Sequence, residues 1–153
     1  MSTFKWLLCS FFAISLISCA SVSKAPEGQD SAAKEFQAPA DKGVVYLYRT
    51  GRALNAAGQL LVKVNGVDAG GTGPGSFFKW NLKPGIYTFT SSTAESSATV
   101  QIEVMAGQVY FIRQDAKVGV GDGRVGMKEV DSQKGMREVK SCKLLVSAYV
   151  PES

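Results

Sequence analysis

The alternation of apolar and polar residues over positions 43–150 predicts a series of short β-strands. Over residues 97–104 the two kinds of position alternate without a break, so one face of this strand is buried and the other meets water. Residues 60–64 show the same period, and Asn65-Gly66 then supplies the positive φ angles of a two-residue hairpin. Strands with this alternation of apolar and polar residues, joined by a two-residue turn, are typical of antiparallel sheets.

Other strands are predicted where apolar residues are denser. Phe78, Trp80 and Leu82 alternate with Phe77, Lys79 and Asn81, which places Trp80 inside and Phe77 on the opposite, outer phase. Residues 44–49 and 109–113 are apolar on both faces, as central strands are. With about seven strands in about 100 residues, the chain is predicted to be mainly β, a compact antiparallel β-sandwich.

One helix is predicted near the C-terminus, over residues 132–144. Asp131 and Ser132 can cap its start, and lysines gather toward its end, where the helix dipole favours them. Gly135 inside this helix costs about 1 kcal/mol relative to alanine, so packing on the sheet must hold it. The apolar residues 144–150 that follow fit either a final edge strand or a packed tail.

The N-terminal 18 residues have the layout of a secretory signal. One charge, Lys5, precedes an apolar run over residues 6–17, which is too short to cross a membrane. The run ends in Leu16-Ile17-Ser18-Cys19, which resembles the cleavage and lipidation box of bacterial lipoproteins. The resemblance implies cleavage between Ser18 and Cys19 and lipid attachment at Cys19; an ordinary signal peptide with an incidental cysteine is the alternative.

Three parts of the chain follow from this reading: a signal peptide at 1–18, a lipidated N-terminus and flexible tether at 19–42, and a β-sandwich domain at 43–150. The polar residues between 20 and 41 include few large apolar groups, which favours a flexible segment. By resemblance to lipoprotein sorting signals, Ala20 and Ser21 in place of an aspartate favour the outer membrane. The expected location is therefore the cell envelope, lipid-anchored and facing the periplasm or the cell surface.

Four stretches together carry a family resemblance. They are residues 45–49, residues 75–85 with their Pro-Gly turn, residues 107–113 and residues 135–138. In this order they resemble a family of small bacterial lipoproteins with a C-terminal β-domain of unknown function, distantly similar to PEGA-type surface domains. The resemblance implies an extracytoplasmic β-sandwich without known catalytic residues.

Composition narrows the possible chemistry. The chain has no histidine, which excludes Ser/His/Asp and Cys/His nucleophilic sites and histidine-ligated metals. Its three cysteines are Cys9, Cys19 and Cys142, so the mature chain can form no internal disulfide, and Cys142 is predicted to be a small apolar filler. The net charge of +4 is dispersed, which argues against nucleic-acid binding. No enzyme activity and no cofactor are predicted.

Glycine-rich stretches offer weak motifs only. Residues 121–126 satisfy G-x-G-x-x-G but lead into a strand, so a hairpin is predicted rather than a dinucleotide site. Residues 70–75 lack the lysine of a phosphate loop and are predicted to be a flexible connection. Asp115 and Asp122 lack the spacing of a calcium loop, so no metal site is predicted.

One set of residues has the chemistry of a binding site. Arg49, Arg113, Arg124 and Tyr48 lie at strand positions or ends where they could share a face, and arginine forks suit carboxylate or phosphate groups. The plainer interpretation is that these side chains mostly pack. Two functions stay open: a structural or protein-interaction module with an envelope protein as partner, and a binding protein for an anionic glycan or lipid headgroup.

Overall fold

A computed structural model describes residues 22–51, 58–117 and 123–153, so Ser18 and Cys19 lie outside the described residues. Within these ranges the chain forms two β-sheets packed as a sandwich, with two helices. This confirms the predicted β-sandwich with a C-terminal helix, although there are nine strands rather than about seven. In chain order the elements are α1 (Glu27–Ala33), β1 (Gly43–Arg49), β2 (Leu60–Val64), β3 (Val67–Thr72), β4 (Ser76–Leu82), β5 (Gly85–Ser92), β6 (Ser97–Val104), β7 (Val109–Lys117), β8 (Arg124–Val130), α2 (Ser132–Val139) and β9 (Lys143–Leu144).

The two sheets differ in strand direction. The four-stranded sheet, in the order β3-β2-β5-β6, is antiparallel as predicted. The five-stranded sheet, in the order β8-β7-β1-β4-β9, is mixed, because β1 pairs in parallel with β7 and β4 pairs in parallel with β9. The predicted antiparallel pairing therefore holds throughout the four-stranded sheet and only in part in the five-stranded sheet, where two of the four pairings among the described residues are parallel. Between β1 and β7 the chain builds β4 and all four strands of the other sheet, and local patterning does not encode such a distant pairing.

The first core fills the space between the two sheets. Val45 and Leu47 of the central strand β1 face this core, and Trp80 of β4 lies among them with only 3% of its surface exposed. The indole nitrogen of Trp80 donates a 2.9 Å hydrogen bond to Oγ of Ser147 in the C-terminal segment. The inward assignment of Trp80 is confirmed.

A second core lies on the other face of the five-stranded sheet, beneath the helices. Tyr46, Tyr48, Phe77 and Phe111 are fully buried there, and Tyr46 stacks on Phe111 with ring centroids 5.0 Å apart. The assignment of Phe77 to an outer, exposed phase is therefore wrong. The phase itself is correct, but the helix layer covers this face of the sheet as well.

Helix α2 begins where predicted and ends earlier. The carboxylate of Asp131 accepts a 2.9 Å hydrogen bond from the Lys134 backbone, which is an N-cap. The helix ends at Val139, because Lys143–Leu144 extends to pair with Ser76 and Phe77 as β9. Both interpretations of residues 144–150 apply in part. Leu144 ends the short edge strand β9, and a packed tail follows it.

The segment before β1 is not the flexible tether that was predicted; from Val22 onward it packs on the sandwich. Val22 packs against the first core, and Lys24 forms an antiparallel bridge with Leu145. Helix α1 is held by Asp30, whose carboxylate accepts hydrogen bonds of 2.7 Å from the Leu144 N–H and from the Lys34 ammonium. A few well-placed contacts fix this segment despite its polar composition.

The glycine-rich turns match the predictions in part. Asn65 and Gly66 both have positive φ, 49° and 82°, as the predicted hairpin between β2 and β3 requires. Gly123 leads into β8, which pairs with β7 as an antiparallel hairpin, while Gly121 and Asp122 lie outside the described residues. The expected flexible connection over residues 70–75 is wrong at its start, because Gly70 belongs to strand β3.

No helix in the described ranges is of the length and apolarity needed to cross a membrane.

Candidate functional site

The outer faces of the two sheets differ in whether helices cover them. Helices α1 and α2 cover the five-stranded sheet, whereas none of the described helices packs on the outward side of the four-stranded sheet. We call this outward side the open face; it consists of the outward side chains of β2, β5 and β6, namely Leu61, Lys63, Ile86, Thr88, Thr90, Ser92, Ser97, Thr99, Gln101 and Glu103.

The open face carries short side chains in register. Thr90 pairs with Thr99 across β5 and β6, and their hydroxyl oxygens lie 3.2 Å apart. Lys63, beside Thr90, forms a 3.2 Å ion pair with Asp68. Leu61 stands among these polar groups with 53% of its surface exposed. The surface is therefore largely polar, with Leu61 and, at one end, Ile86 as its apolar projections.

Arg49, the first candidate binding residue, is fully buried at the end of β1. Its guanidinium donates a 2.8 Å hydrogen bond to the Gly58 carbonyl and a 3.3 Å bond to the Thr72 carbonyl of the other sheet. Burial lowers the pKa of Arg49. The side chain joins the two sheets.

Beside Arg49 lies a buried polar chain that links three strands. Gln114 donates a 2.7 Å hydrogen bond to the hydroxyl of Ser91, and the hydroxyl of Thr72 donates a 2.6 Å bond to the Gln114 side-chain oxygen. These groups satisfy one another inside the sandwich, which is what stable burial of polar side chains requires. They lie at the same end of the core as Arg49, since Thr72 bonds to both Arg49 and Gln114.

Tyr48 and Arg113, two further candidates, meet at Glu138 of helix α2. The Tyr48 hydroxyl donates a 2.5 Å hydrogen bond to one oxygen of this carboxylate, and Arg113 donates a 2.9 Å bond to the other. Burial and the bond to Glu138 raise the pKa of Tyr48. Arg113 also bonds Asp115 at 2.8 Å. These bonds hold α2 on the sheet, and the guanidinium of Arg113 is already bound to two carboxylates.

Arg124, the fourth candidate, is exposed at the start of β8, directly opposite Lys117 of β7. In the same hairpin Arg113 lies opposite Lys128. The structure thus brings Tyr48 and Arg113 together, places Arg124 further along the hairpin, and places Arg49 on the other side of the sheet. The four residues do not share one cleft.

Acidic groups in the described ranges form no cluster of three or more that could hold a metal ion. Asp115, one of the two aspartates considered for calcium, is bound to Arg113 and lies 3.6 Å from the Lys128 ammonium. Asp122 lies outside the described residues.

Two residues that hold these hydrogen bonds together, Glu138 and Gln114, are not among the site residues predicted from the sequence. Gln114 follows Tyr110 and Ile112 at the inward phase of β7, so a polar residue at a position that should be apolar was the available signal. Glu138 gave no signal, because an acid in an amphipathic helix is ordinarily solvated.

These features define a class: a small two-sheet β-sandwich with a helical layer over one sheet and a polar open face on the other. Residues 39–126 match the family described as a protein of unknown function, DUF2846. The chain belongs to this family. Over 140 residues it is 29% identical to an uncharacterized protein of Haemophilus influenzae, a match that covers 88% of this chain and 80% of that protein.

Proposed function

We propose that this chain is a membrane-anchored envelope lipoprotein that acts as a structural or protein-interaction module. The observation that carries the proposal is the open face, a regular and largely polar surface on which none of the helices in the described ranges packs. Hydroxyl and amide side chains on such a surface can exchange hydrogen bonds with a partner protein, and Leu61 offers an apolar contact. The proposal assigns the chain no catalytic step and no cofactor.

The proposed anchor is Cys19. The Leu16-Ile17-Ser18-Cys19 box supports cleavage after Ser18 and acylation of the Cys19 thiol. Two or three acyl chains hold a protein on a bilayer essentially permanently, since each buried methylene contributes about 0.8 kcal/mol. Ala20 and Ser21 favour the outer membrane, so the domain faces the periplasm or the cell surface.

Anionic ligand binding, the second candidate, is favoured by one specific observation. The β7-β8 hairpin presents two cross-strand pairs of cations, Arg113 with Lys128 and Lys117 with Arg124. The acids at Asp115 and Glu138 already engage Arg113, so Lys117 and Arg124 are the cations most available to a phosphate or carboxylate. This candidate ranks below the interaction module because its charges are partly neutralised.

The anchor is tested by replacing its thiol. Cys19→Ser removes the acyl acceptor, so we expect the variant to remain an uncleaved or soluble form and to take up no label. The measurement is metabolic labelling with a fatty-acid analogue followed by membrane fractionation. A wild-type protein that takes up no label would overturn the anchor.

The open face is tested by photocrosslinking in cells. A photoreactive residue at Thr99 should give one discrete higher-mass adduct, because Thr99 is exposed on the open face, on the edge strand β6 directly opposite Thr90. The same residue at Arg137, exposed on helix α2, is the matched control and should give none. Adding Leu61→Asp should abolish the Thr99 adduct. If Thr99 and Arg137 give the same pattern, the open face is not the interaction surface.

A further inference from the structure

The N-terminal segment is fixed to one edge of the sandwich from its first described residues. The Ser23 carbonyl accepts a 2.9 Å hydrogen bond from the Val146 backbone, and the Ala25 N–H donates a 2.9 Å bond to the Leu144 carbonyl. The side chain of Val22 and the ring of Phe78 both lie close to Gly70. The point at which the chain enters the domain is therefore set by strand β3 and the C-terminal tail.

Only three peptide units separate Cys19 from Val22. A fully extended chain advances at most about 3.8 Å per residue between Cα atoms, so the two residues are at most about 11 Å apart. If Cys19 carries the lipid, this edge must lie within that distance of the headgroup level of the bilayer. The packed segment leaves no room for a long tether.

The same edge exposes large apolar side chains. Of the six such residues found in the described part of the chain, Val67, Val146 and Val150 lie on β3 or the tail at this edge, and Ile86 of the inner strand β5 lines the same depression as Val67 and Val150. Val146 adjoins Val22 and Ser23, while Val67, Ile86 and Val150 surround one shallow depression. The Ala148 N–H donates a 3.0 Å hydrogen bond to the Ala69 carbonyl, which lays the tail along β3. We call these four residues the apolar edge.

The groups around the apolar edge suit a bilayer surface. Tyr87 and Tyr149 are half-buried there, and tyrosine rings favour the interface between headgroups and acyl chains. Lys83 lines the same depression and can reach lipid phosphates. Glu152 is the one acid in this lining, so the local charge is balanced rather than repulsive toward lipid.

We propose that the apolar edge rests on the bilayer that holds the acylated Cys19, so that the domain is held in one orientation against lipid. This inference rests on the proposed lipid anchor. Insertion of exposed valine and isoleucine side chains to the level of the headgroups follows the pattern of interfacial membrane segments. The orientation leaves the cationic β7-β8 hairpin at the opposite edge of the five-stranded sheet.

The test uses the full-length lipoprotein, purified from membranes and placed in vesicles of phosphatidylethanolamine and phosphatidylglycerol. In a Cys142→Ala background, an environment-sensitive fluorophore is attached at Val150→Cys, or at Lys128→Cys as the control. Lys128 lies on β8, four strands from β9 and so roughly 19 Å away at ordinary strand spacing. Nitroxide-labelled lipid headgroups serve as the quencher, and thermal unfolding verifies that both variants are folded.

We expect the label at position 150 to shift to shorter wavelength and to lose fluorescence to the nitroxide, while the label at 128 changes little. Equal quenching at the two positions, or none at either, in protein that floats with the vesicles would overturn the fixed orientation while leaving the anchor intact. Protein that does not float with the vesicles would overturn the anchor, and the inference with it.

Discussion

The ring of Phe111 packs directly on the backbone of Gly135, where a Cβ atom would overlap the ring. Helix α2 can approach β7 this closely only because position 135 has no side chain. Alanine would gain about 1 kcal/mol of helix propensity, but overpacking a core costs about 1–3 kcal/mol. Because an added Cβ would overlap both the ring and the Cβ atom of Phe111, the cost lies at the upper end of this range, and we expect Gly135→Ala to lower the free energy of unfolding by about 2 kcal/mol net, measured by urea denaturation.

Gly28 in helix α1 is the matched control for this substitution. A Cβ added there meets no atom within 4 Å, so Gly28→Ala should stabilise the protein by about 0.5–1 kcal/mol. Equal effects of the two substitutions would contradict the close packing of α2 on Phe111.

Trp80 and Phe77 lie on opposite faces of β4, and both are buried. Trp80→Ala and Phe77→Ala should therefore each cost about 3–5 kcal/mol, the first from the core between the sheets and the second from the core beneath the helices. Chemical denaturation of the two variants decides the point. A small loss at Phe77 alone would mean that the helices do not cover this face in solution.

The three candidate arginines should differ in their effect on stability. Arg49→Gln disturbs buried hydrogen bonds to two carbonyls and should cost about 2–3 kcal/mol. Arg113→Gln removes two partly exposed ion pairs, with Asp115 and Glu138, and should cost about 1 kcal/mol. Arg124→Gln is a surface change within about 0.5 kcal/mol. Unfolding free energies that are unchanged in all three variants would restore the binding interpretation.

The Cys142 thiol should be inert in the folded protein. It is fully buried, and burial raises its pKa from 9.0 to about 11. Since only the thiolate reacts, a disulfide reagent should modify protein lacking residues 1–19 far more slowly in buffer than in urea. Fast modification of the folded protein would show that Cys142 is accessible.

The same pKa shift gives a sign for the pH dependence of stability. A group whose folded-state pKa is raised stabilises the protein fully below its unfolded value, here 9.0, and loses this contribution as the pH rises toward about 11. Stability should therefore fall over this alkaline range. Cys142→Ala should reduce the fall without removing it, because burial also raises the pKa of Tyr46 and Tyr48. An identical alkaline fall in the variant would contradict the assignment.

Local patterning was sufficient for much of the fold. The period of two located β2 and β6, and dense apolar residues correctly marked β1 as central, since it is buried along its whole length. The Asn65-Gly66 turn and the Asp131 cap were predicted equally well, because a turn or a cap depends on a few adjacent residues.

The missed features depend on contacts between distant residues. The parallel pairing of β1 with β7 and the hydrogen bond from the Tyr46 hydroxyl to the Ala33 carbonyl, at 2.6 Å, leave no local signature. Two adjacent phenylalanines at 77 and 78 were a signal that both faces of β4 are covered. The candidate binding set failed to form a common cleft because successive residues of one strand, such as Tyr48 and Arg49, face opposite layers.

The N-terminal segment and the C-terminal tail also cover strand edges, which reduces self-association of the sheets. An unpaired strand edge is a template on which another copy can add a strand. Here the tail bonds to β3 at Ala69, and residues 24–25 bond to the segment that continues β9. Trimming either terminus would therefore uncover a ready edge, and we expect shortened chains to aggregate by strand addition before they lose their fold.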